Sequence, residues 1–401
     1  MKNGWQTKTL GDIADVSAGN SAPQDEALFK GGTFPFFRTA DAGRIRFGDI
    51  YESADYLNEK GIKGLRRYPK GTILIPKSGA STFLNHRVML GVEGCVSSHL
   101  ATIVADQAEA EPRFLLYFLS TIAAQDLVQD HAYPSLNLPT ISGISIQAPP
   151  LPEQQRIVGI LDEAFEGIAT AKANAEKNLQ NARALFESHL QSVFTQRGKG
   201  WKATTLGKEI DLLAGFAFKS AQYIKSDEGM RLLRGDNIIQ GQLRWDDVRR
   251  WPANDTKTYE QYQLQEGDVV LAMDRPWVKA GLKHATISAD DIPCLLVQRT
   301  ARLRGGANLD NRFLMYLIGS GAFTSHILGV QTGIGVPHIS GQQIKDFEFA
   351  RPPVTEQRYI ADSLESLREE TQRLESLYQR KLAALDALKK SLLHQAFSGN
   401  L

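Results

Sequence analysis

Cysteine is nearly absent from these 401 residues: only Cys95 and Cys294 occur, too few for a disulfide framework or a thiolate metal site. They sit at nearly matching places in the two halves of the chain, each leading into an apolar run, the pattern of two separate buried thiols and not of one bridge. No apolar run approaches the length that spans a bilayer. The start, Met1-Lys2-Asn3-Gly4-Trp5, has no apolar stretch behind a basic residue, so secretion is not expected and the cytoplasm is the default location. Net charge is missing too, because 46 Lys and Arg stand against 45 Asp and Glu. A surface for nucleic acid must therefore come from local segregation of charge.

Signatures of catalysis are also lacking. There is no glycine-rich strand-to-helix loop with a downstream acid for S-adenosylmethionine or a dinucleotide, no phosphate loop, and no Asn-Pro-Pro-aromatic run for methylating a base amino group. Gly329-Val330-Gln331-Thr332-Gly333-Ile334-Gly335 leads to Pro337, not into a helix, and reads as a turn. The pair Asp290-Asp291 lies in a polar turn, and no His, Asp or Glu spacing suits a metal. The chain is expected to be no enzyme, with no cofactor and no metal of its own.

What is present is a duplication. Gly4-Trp5-Gln6-Thr7-Lys8-Thr9-Leu10-Gly11 returns 196 positions later as Gly200-Trp201-Lys202-Ala203-Thr204-Thr205-Leu206-Gly207. Pro149-Pro150-Leu151-Pro152-Glu153-Gln154-Gln155-Arg156 returns after 203 as Pro352-Pro353-Val354-Thr355-Glu356-Gln357-Arg358-Tyr359. A duplicated chain offers two similar surfaces and suits a partner held at two points. With 42% hydrophobic residues, each copy can close its own core.

Each copy divides into a mixed globular part and a long helix. Runs such as Gly71-Thr72-Ile73-Leu74-Ile75 and Gly267-Asp268-Val269-Val270-Leu271, bounded by turn residues, predict strands. Phe114–Ser120 and Phe313–Gly319 predict short core helices. After Pro149-Pro150, apolar residues recur at helical spacing from Ile157 through Leu161, Ile168, Ala175, Ala182 and Leu190; after Pro352-Pro353 they recur from Ile360 through Leu364, Thr371, Tyr378, Leu385, Leu388 and Ala396. Pro152 suits a first helical turn and Thr355 suits a cap. Some 44 residues at 1.5 Å each reach roughly 65 Å, more than one small domain buries, so the two stripes should pack on each other. The second globular part joins the end of one helix to the start of the next, which an antiparallel pair satisfies directly. The expected fold is α+β: two similar mixed α/β domains, 1–150 and 199–351, separated by two long antiparallel coiled-coil helices, 151–198 and 352–401, in a pseudo two-fold repeat.

Charge does segregate. From Lys60 to Val92 stand Lys60, Lys63, Arg66, Arg67, Lys70, Lys77 and Arg87 with no acid before Glu93. The second copy is less pure, with Arg275, Lys279 and Lys283 after Asp274 and then Arg299, Arg302 and Arg304. Such runs are often plain wetted surface. Two similar heads on a rigid spacer, however, would meet two segments of duplex DNA on one face. The heads differ in their middles, Lys77-Ser78-Gly79-Ala80-Ser81 standing against Asp274-Arg275-Pro276-Trp277-Val278, which implies two different half-sites. The other reading is a bivalent coiled-coil scaffold that binds proteins.

These motifs, with the closing Leu392-Leu393-His394-Gln395-Ala396-Phe397-Ser398-Gly399-Asn400-Leu401, resemble the specificity subunit of Type I restriction-modification systems over essentially the whole chain. The first helix departs by its Asn174, Asn178 and Asn181 and its shorter ending. The resemblance implies two target-recognition domains that read a split site in double-stranded DNA. It implies two modification (methyltransferase) subunits recruited through the helices, with S-adenosylmethionine expected on those partners, restriction subunits in the full complex, and no membrane. Reading loops diverge in this family, so candidates rest on side-chain chemistry: Arg and Lys toward guanine, Asn and Gln toward adenine, and Ser or Thr toward either. In the first domain these are Arg38, Lys77, Ser78 and Ser81, with Arg66, Arg67 and Lys70 on phosphates. In the second they are Arg234, Arg275, Lys279 and His338, with Trp277 against sugar or base. Arg38 and Arg234 match at 196 positions and equally fit framework ion pairs; Trp277 equally fits a core; His338 aligns with Thr140 and could shape a loop.

Overall fold

The computed structural model describes residues 4–128, 130, 132, 134–196, 198–224, 226–333 and 337–401, without the side chains of 254–256. Of the glycine-rich run, Ile334 and Gly335 lie outside the described residues. The chain forms two compact units, Met1–Glu176 with Arg380–Leu401, and Lys177–Gln379.

In the first unit the main sheet has five strands in the order Ala14–Ala18, Leu100–Ala105, Ile73–Pro76, Arg87–Leu90, Phe47–Ile50. The last strand pairs parallel, Phe47 against Arg87, and the others antiparallel. Ile73–Pro76 is buried along its whole length, as its unbroken apolar run requires of a central strand covered on both faces. Helix Pro112–Ser120 packs on the sheet; Glu111 caps it and Pro112 opens it, where a missing N–H costs nothing. A smaller sheet joins Phe34–Phe37 to Asp55–Leu57 and to Cys95–Val96.

The second unit repeats this plan with four strands in the main sheet: Ile210–Ala214, Thr300–Gly305, Val269–Ala272 and His284–Thr286. Where the first unit has Phe47–Ile50, the second has a single parallel bridge, Gln240 to His284. Helix Asn311–Gly319 is capped by Asp310. In each unit an antiparallel ribbon ties the start of the repeat to the residues before the long helix, Gln6–Thr9 with Ser145–Ala148 and Lys202–Thr205 with Glu348–Arg351. Cys95 and Cys294 are both free and buried, and burial pushes their thiols up to about 11 and about 12.

The repeated Glu-Gln motif acts at the joint between domain and helix. Gln154 is 1% exposed; its amide donates to Glu109 O and Pro149 O, and its oxygen accepts from Glu111 N. Gln357, fully buried, does the same with Asn308 O, Pro352 O and Asp310 N. One side chain thereby satisfies three otherwise orphaned backbone groups.

The long helices are Leu151–Thr195, 45 residues, and Val354–Phe397, 44 residues. In the first unit Ile157 and Leu161 of one share a core with Ala396 of the other, and Lys172 reaches Asp386 at 2.7 Å. In the second unit Leu190 of one packs with Ala361 and Leu364 of the other, and Arg183 reaches Glu375 at 2.9 Å. In each unit rising numbers on one helix meet falling numbers on the other, so within each unit the two helix segments run antiparallel. Two expectations change. Thr355 lies inside the first turn, because the helix already begins at Val354. Leu388 is 47% exposed, because a straight helix drifts from any fixed stripe.

Candidate nucleic-acid interface

Strand ends decide where the divergent loops go. The strand Ile73–Pro76 delivers Lys77, Ser78 and Gly79, and Val269–Ala272 delivers Met273, Asp274 and Arg275. Lys77 N donates to His99 O at 3.0 Å and Gly79 N to Pro134 O at 2.9 Å; Met273 N donates to Arg299 O at 2.8 Å and Arg275 N to Pro337 O at 2.7 Å. Ser78 bridges Ser135, and Asp274 bridges His338. Ser78 therefore corresponds to Asp274 and Gly79 to Arg275, one residue away from the sequence pairing of Lys77 with Asp274. The turn explains the register, since Gly79 (φ 73°) and Arg275 (φ 45°) both occupy the left-handed region.

His338 is likewise the counterpart of Ser135 and not of Thr140. Asn137 caps Leu138–Ser142 as Ser340 caps Gly341–Lys345, which fixes the alignment by helix starts.

A third loop closes the site in each domain. Ser97 N donates to Phe37 O at 2.9 Å, and Val297 N to Leu233 O at 3.1 Å, bringing Arg38 and Arg234 to the same edge. Three segments distant in sequence, those after the central strand, before Leu100 or Thr300, and before the capped short helix, thus converge at equivalent places.

The candidates stand as follows. Lys77, Ser78 and Ser81 are half-buried in the loop, with Ser81 Oγ donating to Ser78 O at 3.0 Å. Arg38 is paired to Asp55 and lies over the rings of Phe29 and Phe36; Arg234 is paired to Asp247 at 2.9 Å. Both guanidinium groups are thus held in ion pairs at the domain frame. Arg66, Arg67 and Lys70 are exposed. Arg66 joins the convergent edge through Asn20, whose side chain accepts from Arg66 N at 2.8 Å and whose carbonyl accepts from Ser98 N at 2.7 Å. Arg66 is paired with Asp15, and that contact holds its guanidinium above the usual arginine range. Trp277 is 40% exposed on a short ribbon with Gly281–Leu282, so it is no core residue, and Lys279 is exposed at the turn. His338 Nδ1 lies 2.6 Å from Asp274 Oδ1.

Other cations are not what their sequence position implied. Arg87 is 2% exposed, its guanidinium donating to the carbonyls of Leu119, His86 and Ile122, and burial brings it down to about 10. Arg302 is paired to Asp211, and Arg304 to Asp268 through bonds of 2.7 and 2.9 Å. Arg302 and Arg304 stand two apart on one strand and so share a face, where carboxylates of neighbouring segments take both. Asp291 accepts from Trp245 Nε1 at 2.8 Å and from Ser288, work that orders a turn.

Two members of the convergent edge carried too weak a sequence signal to be singled out, Asp274 and His99. Only the backbone register reveals them. Among the described residues no three His, Cys, Asp or Glu are grouped to hold a metal ion, and no single helix is long and apolar enough to cross a membrane.

Comparison with known proteins agrees with this architecture. Residues 2–180 match the family described as Type I restriction modification DNA specificity domain. The chain is 36% identical over 201 residues to the EcoAI specificity subunit of Escherichia coli, covering 49% of this chain and 34% of that protein. It is 24% identical over 417 residues to the MjaVIII specificity subunit of Methanocaldococcus jannaschii, covering 99% and 93%. The chain thus spans about a third of the first relative and nearly all of the second. Among solved structures, the fold matches the HsdS subunit from Thermoanaerobacter tengcongensis with a TM-score of 0.65 at 18% identity, over 100% of this chain and 98% of that one. A chain from a structure of the type I R-M system matches with a TM-score of 0.77 at 19% identity, over 100% and 99%. Residues 2–180 thus match the Type I specificity-domain family, and the whole chain shares the fold of the HsdS subunit and of the type I R-M chain.

Proposed function

We propose that this chain is the sequence-reading, non-catalytic subunit of a Type I restriction-modification complex. Each domain reads one half of an asymmetric split site in double-stranded DNA. The helices recruit two modification subunits, which hold S-adenosylmethionine, and restriction subunits join for cleavage; the setting is the cytoplasm.

One observation carries the reading: equivalent loops converge at equivalent strand ends in both domains, yet present different side chains, with Ser78, Gly79 and His99 in one and Asp274, Arg275 and Arg299 in the other. A shared frame with divergent polar loops fits two different base sequences. The balanced charge fits a subunit whose partners complete the grip on the backbone.

The test is duplex binding by the complex of this chain with its modification subunits, measured across a salt series. Binding should weaken steeply as salt rises, with a log–log slope of roughly −0.9 per phosphate neutralised. Binding without that slope, or no binding of a specific duplex, would favour the protein-scaffold reading.

A further inference from the structure

The second domain carries at its loop edge a concavity of about 340 Å³, lined by Gly235, Asp236, Asp274, Arg275, Lys283 and Arg299. Donors and acceptors are mixed within it, three cations beside two carboxylates. The corresponding loop positions of the first domain are Ser78, Gly79 and His99, so this chemistry belongs to one half of the protein alone.

The backbone is under tension here. Arg275 and Arg299 have φ of 45° and 69°, two of only four non-glycine residues in the left-handed region among those described. Such conformations persist where the surroundings enforce them, and they cluster at binding sites. The carboxylate of Asp274 is fixed on both sides, by His338 Nδ1 at 2.6 Å and by Arg299 Nε at 3.6 Å. Arg299 meets Asp274 through Nε, which leaves its two terminal nitrogens for a forked contact. Its side chain is 60% exposed and that of Asp274 34%. Lys283 is crowded: burial lowers its amine, and Arg244 and Arg275 add to that against the opposing pull of Asp236.

A backbone phosphate is the obvious ligand for three cations, but Asp236 and Asp274 would repel it. The major-groove edge of a G·C pair matches the mixed lining. Guanine O6 and N7 are adjacent acceptors, suited to a forked guanidinium, and the cytosine N4 amine beside them is a donor, suited to a carboxylate.

We infer that this concavity reads one G·C base pair of the second half-site, Arg299 donating to guanine O6 and N7 and Asp274 accepting from cytosine N4. The inference rests on the second domain being a half-site reader. His338 is then a positioning residue that aims the carboxylate, and Arg275 is the bend that places it.

The experiment is selection from duplexes randomised in both half-sites, using the complex of the full chain with its modification subunits. Wild type should require G·C at one position of the second half-site. Asp274→Ala and Arg299→Ala should each relax that position by about tenfold to a hundredfold, while selection in the first half-site stays intact and reports that the complex is folded. If Asp274→Ala loses first-half selection as well, Asp274→Asn keeps the side chain's size and should relax the same position. A second half-site that contains no G·C pair overturns the inference and leaves the function standing. So does a uniform loss of affinity with the G·C preference retained, which would mark a phosphate contact or a framework ion pair. A wild-type complex that selects no split site overturns the function itself.

Discussion

Arg66 and Arg67 are neighbours in sequence and in exposure, yet they are not equivalent cations. Arg66 faces Asp15 at 2.5 Å and lies over Tyr68, whereas Arg67 rests on the Phe34 ring and no carboxylate pairs with it among the described residues. A cation already neutralised by a carboxylate releases fewer counterions on meeting a phosphate. Arg67→Ala and Lys70→Ala should therefore each reduce the magnitude of the salt slope of duplex binding by roughly one, and Arg66→Ala by less; equal effects in a titration series would refute the distinction. Protonation gives a second difference at this scale. His284 is half-buried in the second unit, desolvation holds its imidazole below the ordinary value of 6.5, and the bond of its Nδ1 with Leu282 O opposes that only in part. The folded chain keeps this group neutral while the unfolded chain protonates it, so its stabilising contribution is complete above pH 6.5 and lost as pH falls below it. His86 shifts in the same direction in the first unit. His284→Gln should flatten the acid side of the melting profile of the second unit, and an unchanged profile would show that His284 does not drive it.

At the scale of elements, packing outweighs charge along the helix pair. Leu364 is fully buried with Leu190 and Tyr316, whereas the Arg183–Glu375 pair has side-chain exposures of 55% and 28%. Leu364→Ala should destabilise the second unit by about 3 kcal/mol through lost burial and a cavity. Arg183→Ala should scarcely move the denaturation midpoint, because exposed ion pairs contribute little. The reverse ranking in denaturant titrations would mean that charge, not the apolar seam, sets the register. The seam was legible in sequence because helical spacing survives over 44 residues. Its edges were not: Leu388 fell on the predicted stripe and is exposed, while Ala361 beside the predicted Ile360 is the buried residue. Loops were harder still. The alignment of Lys77 with Asp274 slips although the offset of 196 that holds from Gly4 onward still applies there, whereas that of Thr140 with His338 slips because the offset has grown to 203 by Ser135, and the hydrogen bonds fix both.

At the scale of the molecule, the repeat implies separable readers. Each unit closes its own main sheet and core, the first around Phe114 and Ile103 and the second around Phe313 and Leu303. If each domain reads a half-site as proposed, replacing residues 20–135 with the corresponding segment of a Type I specificity subunit should change one half of the recognised site and leave the other as it was, read by methylation-site mapping of the complex. Loss of both halves would show that the domains do not read independently. The net charge of +1 belongs to this scale as well. Many of the 46 cations are already spent on internal pairs such as Arg304 with Asp268 and Arg312 with Asp362, so the free positive surface is smaller than composition implies.

The amino-acid sequence by itself determined the duplication, the two long helices, their antiparallel course and the buried thiols, because each of these follows from repetition or from periodicity sustained over many residues. Tertiary structure alone decided which polar side chains face the loop edge and which are consumed within the fold. Arg87 and Arg302 resembled surface cations and are buried; Asp274 was not among the candidate residues and lines the concavity at the loop edge of the second domain. The reason is that a side chain's partners come from strands and loops distant along the chain, and no local pattern records which of them will meet.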